Sequence, residues 1–170
     1  RSGPFIDGQK KLSPFRASFT EVIKTESEGR QIVRELKKQG VDFVKVHSRL
    51  PREAFFAVAD EAEKQGLKLV AHVPKDVSVL EASNAGAHTI EHTESLLGES
   101  IYLEPASLRD KRIQEALDGL KTERGKAIMG QLAKNGTWFD PTLIAHYRGF
   151  STSPSAFERA FPDKLLEVVK

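Results

Sequence analysis

The chain has no cysteine, which excludes disulfides, thiolate metal sites and a cysteine nucleophile while suiting reducing and oxidising compartments alike. Cytoplasm and periplasm therefore both stay open. It has a single methionine, Met129, and opens at Arg1, so it reads as an excised or processed piece from which a targeting segment could be missing. No uninterrupted apolar run approaches the roughly 20 residues that span a bilayer, so a soluble chain is expected. Nor does one charge dominate. The 26 Lys and Arg stand against 24 Asp and Glu, a formal charge of +2, and the two signs alternate along helical stretches. Without a basic block, nucleic acid and membrane surfaces are not expected partners.

What is present is a repeating pattern of short apolar runs and amphipathic stretches. A length of 170 residues allows one domain with a sizeable core. Residues 1–24 mix Gly3, Pro4, Gly8 and Pro14 with Phe5, Phe15 and Phe19 and read as loop. Residues 25–95 read as βα repeats. Thr25 and Glu28 form a capping box ahead of Ile32, Val33 and Leu36, and Gly40 offers a stop. Val41 to His47 then reads as a buried strand, and Pro51 to Gly66 as a second helix. Leu67 to His72 is the next strand, Asp76 is placed to cap a short helix ending at Gly86, and His88 to His92 is the third strand. Residues 96–135 read as a charged helical excursion interrupted at Gly125. Residues 136–170 read as a fourth strand from Thr137, ended by Pro141, and then a C-terminal helix.

Strand and helix alternating at this spacing predict parallel βαβ units with every strand C-terminus on one rim. The fold class is therefore α/β, a single partial TIM-type (β/α) barrel over residues 1–170, with three to four parallel strands and outer helices. Barrel active sites are built on that rim. Three polar residues fall there on consecutive predicted strands: Lys45, His72 and His92. Inside an apolar strand, desolvation opposes the lysine's charge and favours the neutral amine, which can form a Schiff base or react with carbon dioxide to give a carbamate. The plainer account is a stem packed in the core with its head at the rim. Each histidine alone is more often structural than functional. Together with Lys45 on adjacent strand ends, however, they supply donors that borderline divalent metals prefer. His47, two residues beyond Lys45, shares its face and is a candidate substrate contact, though a loop residue is an equal reading. His88 lies at the start of its strand and is assigned to structure.

The stretches Val41 to Val46, Leu69 to Pro74 and Ala87 to His92 resemble the fourth, fifth and sixth barrel strands of the amidohydrolase superfamily, nearest its imidazolonepropionase-like and Xaa-Pro dipeptidase-like groups. The opening Ser2 to Gly8 resembles the loop after the third strand, and Gly136 to Leu143 the seventh strand. These motifs, in the family's order, cover nearly the whole chain. The resemblance implies that Lys45, carboxylated, bridges two divalent ions, with zinc the expected metal, and that His72 and His92 bind the second. It implies hydrolysis of an amide or other C–N bond in a small-molecule substrate of dipeptide or cyclic amide type, with the metals acting as Lewis acids. No His-x-His pair occurs, and the aspartate expected after the eighth strand would lie beyond Lys170. The piece thus holds about half of the family's site, no catalytic residue is assigned within it, and alone it is expected to be inactive.

Two rival readings come from other classes. Asp42 to Lys45 resembles the Schiff-base strand of some class I aldolases, which would need no histidines on the following strands. The other is a non-catalytic half-barrel scaffold or binding module. His88 to His92 also matches the H-x-x-E-H pattern of inverted zinc proteases, but that chemistry needs a helix where Thr89 and Ile90 favour a strand. Unpaired sheet edges predict a homo-oligomer.

Overall fold

The computed structural model describes residues 1–8, 18–92, 95, 115 and 118–140. They fall in one compact unit, Arg1–Asp140. The C-terminal helix expected within 136–170, and most of the helical excursion expected over 96–135, lie outside the described residues. Six strands form one parallel sheet: β1 (Ser2–Asp7), β2 (Thr20–Val22), β3 (Phe43–Val46), β4 (Lys68–Ala71), β5 (Ala87–Glu91) and β6 (Trp138–Asp140). Their order is β2-β1-β3-β4-β5-β6. Among the described residues, helices α1 (Glu26–Lys38), α2 (Arg52–Lys64), α3 (Val79–Asn84) and α4 (Glu123–Asn135) accompany them. Among the described residues no helix is long and apolar enough to cross a membrane.

The helices start where their sequences allow. Thr25 Oγ1 accepts from Glu28 N while Glu28 Oε2 accepts from Thr25 N and Lys24 N, closing the capping box of α1. Those backbone donors hold the Glu28 carboxyl below its ordinary value. Pro51 precedes α2, where its missing N–H costs nothing. The short α3 is capped by Ser78, in a capping box with Glu81, and not by Asp76 as the sequence suggested. Ser78 is the residue with Glu three positions on, so both orphan donors are satisfied reciprocally. Gly40, Gly66 and Gly86 each leave a helix at positive φ (72°, 64° and 87°), a conformation glycine adopts without a Cβ penalty. Gly125 does not interrupt a helix. It sits in the first turn of α4, where its N–H donates to the N-cap Thr122, and a Cβ there would lie 2.4 Å from Leu120 Cα.

The opening stretch is strand where loop was expected, and the strands number six where three or four were expected. Gly3 and Pro4 weaken local strand preference, but pairing on both sides overrides it: Phe5, Ile6 and Asp7 lie opposite Thr20, Glu21 and Val22, and Phe5 and Ile6 opposite Lys45 and Val46. The register shifts between Ser2 and Phe5, an irregularity that accommodates the Gly-Pro pair. A Cβ at Gly3 would come 2.4 Å from Leu36 Cδ2, so the buried leucine side chain would have to shift to admit it.

Alternation divides the sheet into two unlike faces. Ile6, Val44, Val46, Leu69, Ala71 and Ile90 are almost wholly buried and join Val33, Leu36, Phe55 and Val58 of α1 and α2 in one core. Arg34 crosses from α1 to the buried Glu61 of α2 with bonds of 2.9 and 3.1 Å, and Arg30 pairs with Asp60 beside it. The Arg34 guanidinium, and after it the Gln65 amide, holds the Glu61 carboxyl below its ordinary value, and Lys64 followed by Arg30 does the same for Asp60. The opposite face carries Phe5, Lys45, Val70, Thr89 and Trp138 at one level of the register. Apart from Trp138, which is exposed, these are half-buried. In a closed barrel this second face lines the interior.

Candidate active site

Two residues beyond that level on the same face, at the C-terminal ends of five adjacent strands, the register aligns Asp7, His47, His72, Glu91 and Asp140. Backbone bonds extend the ladder this far: His47 N donates to Ile6 O at 2.9 Å and His72 N to Val46 O at 3.2 Å. The His47 and His72 rings lie with centroids 4.7 Å apart. Strict alternation would turn His92 toward the helices, opposite to Glu91. Instead its backbone is left-handed, φ 70°, and its ring meets that of His72 with centroids 4.6 Å apart. A positive φ at a non-glycine residue is uncommon and costs backbone energy. Here it is fixed on both sides, by His92 N donating to Asp140 O at 2.8 Å and Ser95 N donating to His92 O at 3.1 Å. Three imidazoles thus stand in a file across β3, β4 and β5, and both ring nitrogens of His72 are buried.

Lys45 rises from the level below and meets Glu91, skipping over β4. Its Nζ lies 2.7 Å from Glu91 Oε2, and 21% and 10% of the two side chains remain exposed. Its Nζ also lies 5.6 Å from the centre of the Phe5 ring. On the far side of the file, the buried Asp7 accepts from Gly8 N at 2.8 Å and Arg49 N at 3.1 Å through Oδ1, while Oδ2 lies 3.5 Å from His47 Nδ1. Ser48 Oγ is 3.3 Å from the same nitrogen.

The strand ends therefore bring Lys45, His47, His72 and His92 to one rim. His88 is the unpaired extra residue where the β4–β5 register shifts between Leu69 and Val70. Asp7, Glu91 and Asp140 were missed in the sequence. Glu91 was detectable, since it shares the parity of Thr89 on a predicted strand, whereas Asp7 fell in a stretch assigned to loop.

The residues fit part of a metal centre. Two adjacent imidazoles, His72 and His92, are donors that suit a borderline divalent ion. Among the described residues no group of three or more His, Asp or Glu side chains is placed to hold one ion. The amine of Lys45 is engaged by Glu91.

No family model matches the chain, and no curated protein matches it. Solved structures do. The chain aligns with a bottromycin amidohydrolase at TM-score 0.53 and 23% identity, over 67% of this chain and 24% of the other. A crystal structure of an uncharacterized protein aligns at TM-score 0.54 and 18% identity, over 91% of this chain and 39% of the other. At these identities the likeness establishes the fold alone: the parallel strands and their helices share the partial (β/α) barrel architecture of the matched parts of these structures. The chain spans well under half the length of either protein.

Proposed function

We propose that this chain is an internal segment, about strands three to seven, of a metal-dependent hydrolase that cleaves an amide or other C–N bond in a small dipeptide or cyclic amide substrate. The observation that carries the reading is the 4.6 Å approach of the His72 and His92 rings, achieved only through the left-handed backbone at His92. A surface turn has no need of that strain. In this reading His72 and His92 hold a divalent ion, zinc by their chemistry, and Lys45 contributes a carbamate oxygen once Glu91 releases its amine. His47 contacts the substrate. When bound, the metal supplies Lewis acidity toward a carbonyl and lowers the pKa of a coordinated water. With two imidazoles and an engaged lysine, the 170-residue chain binds zinc weakly and does not turn over substrate.

Calorimetric zinc titration tests this. Wild type should bind weakly, and His72→Ala and His92→Ala should each abolish the binding. Undiminished binding in either variant refutes the ligand assignment, and tight two-site binding refutes the incompleteness. Among the described residues β2 and β6 stand at the sheet edges, and such edges favour a dimer or larger assembly, against which a monodisperse monomer in light scattering would decide. One observation favours the scaffold reading in second place: the Lys45–Glu91 ion pair gives the lysine a purely structural partner.

A further inference from the structure

At the end of the strands opposite the rim, a relay of side chains joins α3, α4, β5 and the start of β6. Asn135 Nδ2 donates to Ser83 Oγ at 2.9 Å, Ser83 Oγ and Thr137 Oγ1 lie 2.8 Å apart, and Thr137 Oγ1 donates to Ala87 O at 2.9 Å. A hydroxyl has one proton to give. That of Thr137 goes to Ala87 O, so the Ser83 hydroxyl donates to Thr137, and each bond polarises the next. Ser83 is 2% exposed, so water competes little for its bonds. The left-handed Gly136, φ 68°, and the Thr137 N–H donating to Leu132 O at 2.9 Å fix how the chain leaves α4 for β6.

The strand that follows needs such a clasp. In β6 Trp138 and Asp140 are exposed and Phe139 is half-buried, and among the described residues it pairs with β5 alone. A strand that buries so little apolar surface selects its register weakly. Yet that register shapes the site, because pairing Glu91 with Asp140 brings Asp140 O to the His92 N–H at 2.8 Å, the bond that holds His92 at φ 70°. A slip of one residue would carry Asp140 O about 3.3 Å along the strand, out of reach of that N–H. We infer that Thr137 is a positioning residue: its hydroxyl, clamped between Ser83 and Ala87 O, sets the β5–β6 register and thereby holds His92 in the left-handed turn that brings its ring to His72. The effect is carried along β6 over about 10 Å. Resting on the reading of His92 as a ligand, this makes Thr137 part of what preorganises the metal centre from the far end of the strand.

The test is amide hydrogen exchange of the metal-free 170-residue chain, read by NMR at two sites. One is the His92 amide, bonded to β6, and the other is the His47 amide, which donates to Ile6 O at 2.9 Å on the far side of the sheet. Thr137→Val keeps the branched shape and removes the hydroxyl. Losing a hydrogen bond and stranding the Ser83 donor shifts a local opening equilibrium by roughly tenfold. Exchange at His92 should therefore speed by about tenfold in Thr137→Val, while that at His47 changes by less than about twofold. Thr137→Ser keeps the hydroxyl and should keep exchange at His92 slow. A general stabilising role would speed both amides alike. Equal acceleration at the two amides, an unchanged His92 in Thr137→Val, or a Thr137→Ser as fast as Thr137→Val each overturns the assignment. Ser83→Ala covers the event that Thr137→Val does not fold: it removes the middle link, should also speed His92 and not His47, and an unchanged His92 there overturns the assignment too. The measurement needs neither zinc nor turnover, so its failure is distinct from failure of the proposed hydrolase.

Discussion

Replacing Glu91 by glutamine should destabilise the chain by about 2 kcal/mol, and most of that cost should vanish when Lys45 is methionine. The magnitude follows from the geometry. At a separation of 2.7 Å and an effective dielectric near 20, the gross attraction is roughly 6 kcal/mol. Desolvation offsets most of it. Fully exposed pairs retain about 0–1 kcal/mol, and breaking a fully buried pair costs about 3–5 kcal/mol because one charge is left uncompensated. With 21% and 10% of the side chains exposed, this pair lies between those limits. Lys45→Met keeps a stem of similar length and removes the charge, so Glu91→Gln in that background has little left to lose. Urea unfolding of wild type, both single variants and the double variant yields the coupling energy directly. A 2 kcal/mol loss moves the midpoint by about 1 M for a domain of this size. A coupling energy below about 0.5 kcal/mol would show that the contact contributes nothing beyond a solvated surface pair, and would refute the account of Lys45 as engaged by Glu91.

Two further predictions concern the frame around the site. Gly8→Ala places a Cβ 2.2 Å from Arg49 O and 2.8 Å from Pro51 Cδ, so it should destabilise by about 1–3 kcal/mol and speed hydrogen exchange at the Arg49 amide, and a silent substitution would contradict the close approach. Glu81 is held down to about 2 from 4.5 by the Arg52 guanidinium first and then by Ser78. A depressed carboxyl contributes stability in full above its unfolded value and loses it as pH falls through the folded one. Thermal unfolding of wild type and Glu81→Gln should therefore differ above about pH 4.5 and converge toward about pH 2, and parallel curves across that window would refute the linkage.

Much of the fold was legible locally. The Thr25–Glu28 box, Pro51, and the glycines at 40, 66 and 86 mark helix ends through backbone chemistry that acts within a few residues. Three of the six strands announced themselves by apolar runs and β-branched residues, and β6 by its turn and Trp138. β1 and β2 did not, because their pairing partners lie distant in sequence and Gly3 and Pro4 argue locally for loop. The site divides the same way. Lys45, His47 and His72 share one face by simple alternation. Glu91 could have been added by the same rule but was absorbed into the motif around it, and Asp7 was lost with the strand that carries it.

By itself the sequence determined a parallel α/β arrangement and the delivery of an amine and imidazoles to one rim, because strand period and helix caps are properties of short segments. Only the tertiary structure decided how those groups pair. The Lys45–Glu91 contact spans two strand spacings, the Asp7–His47 contact joins segments 40 residues apart, and the His72–His92 approach depends on a backbone reversal that a bond from β6 holds in place. Each is set by sheet register and long-range closure, which no local pattern of residues encodes.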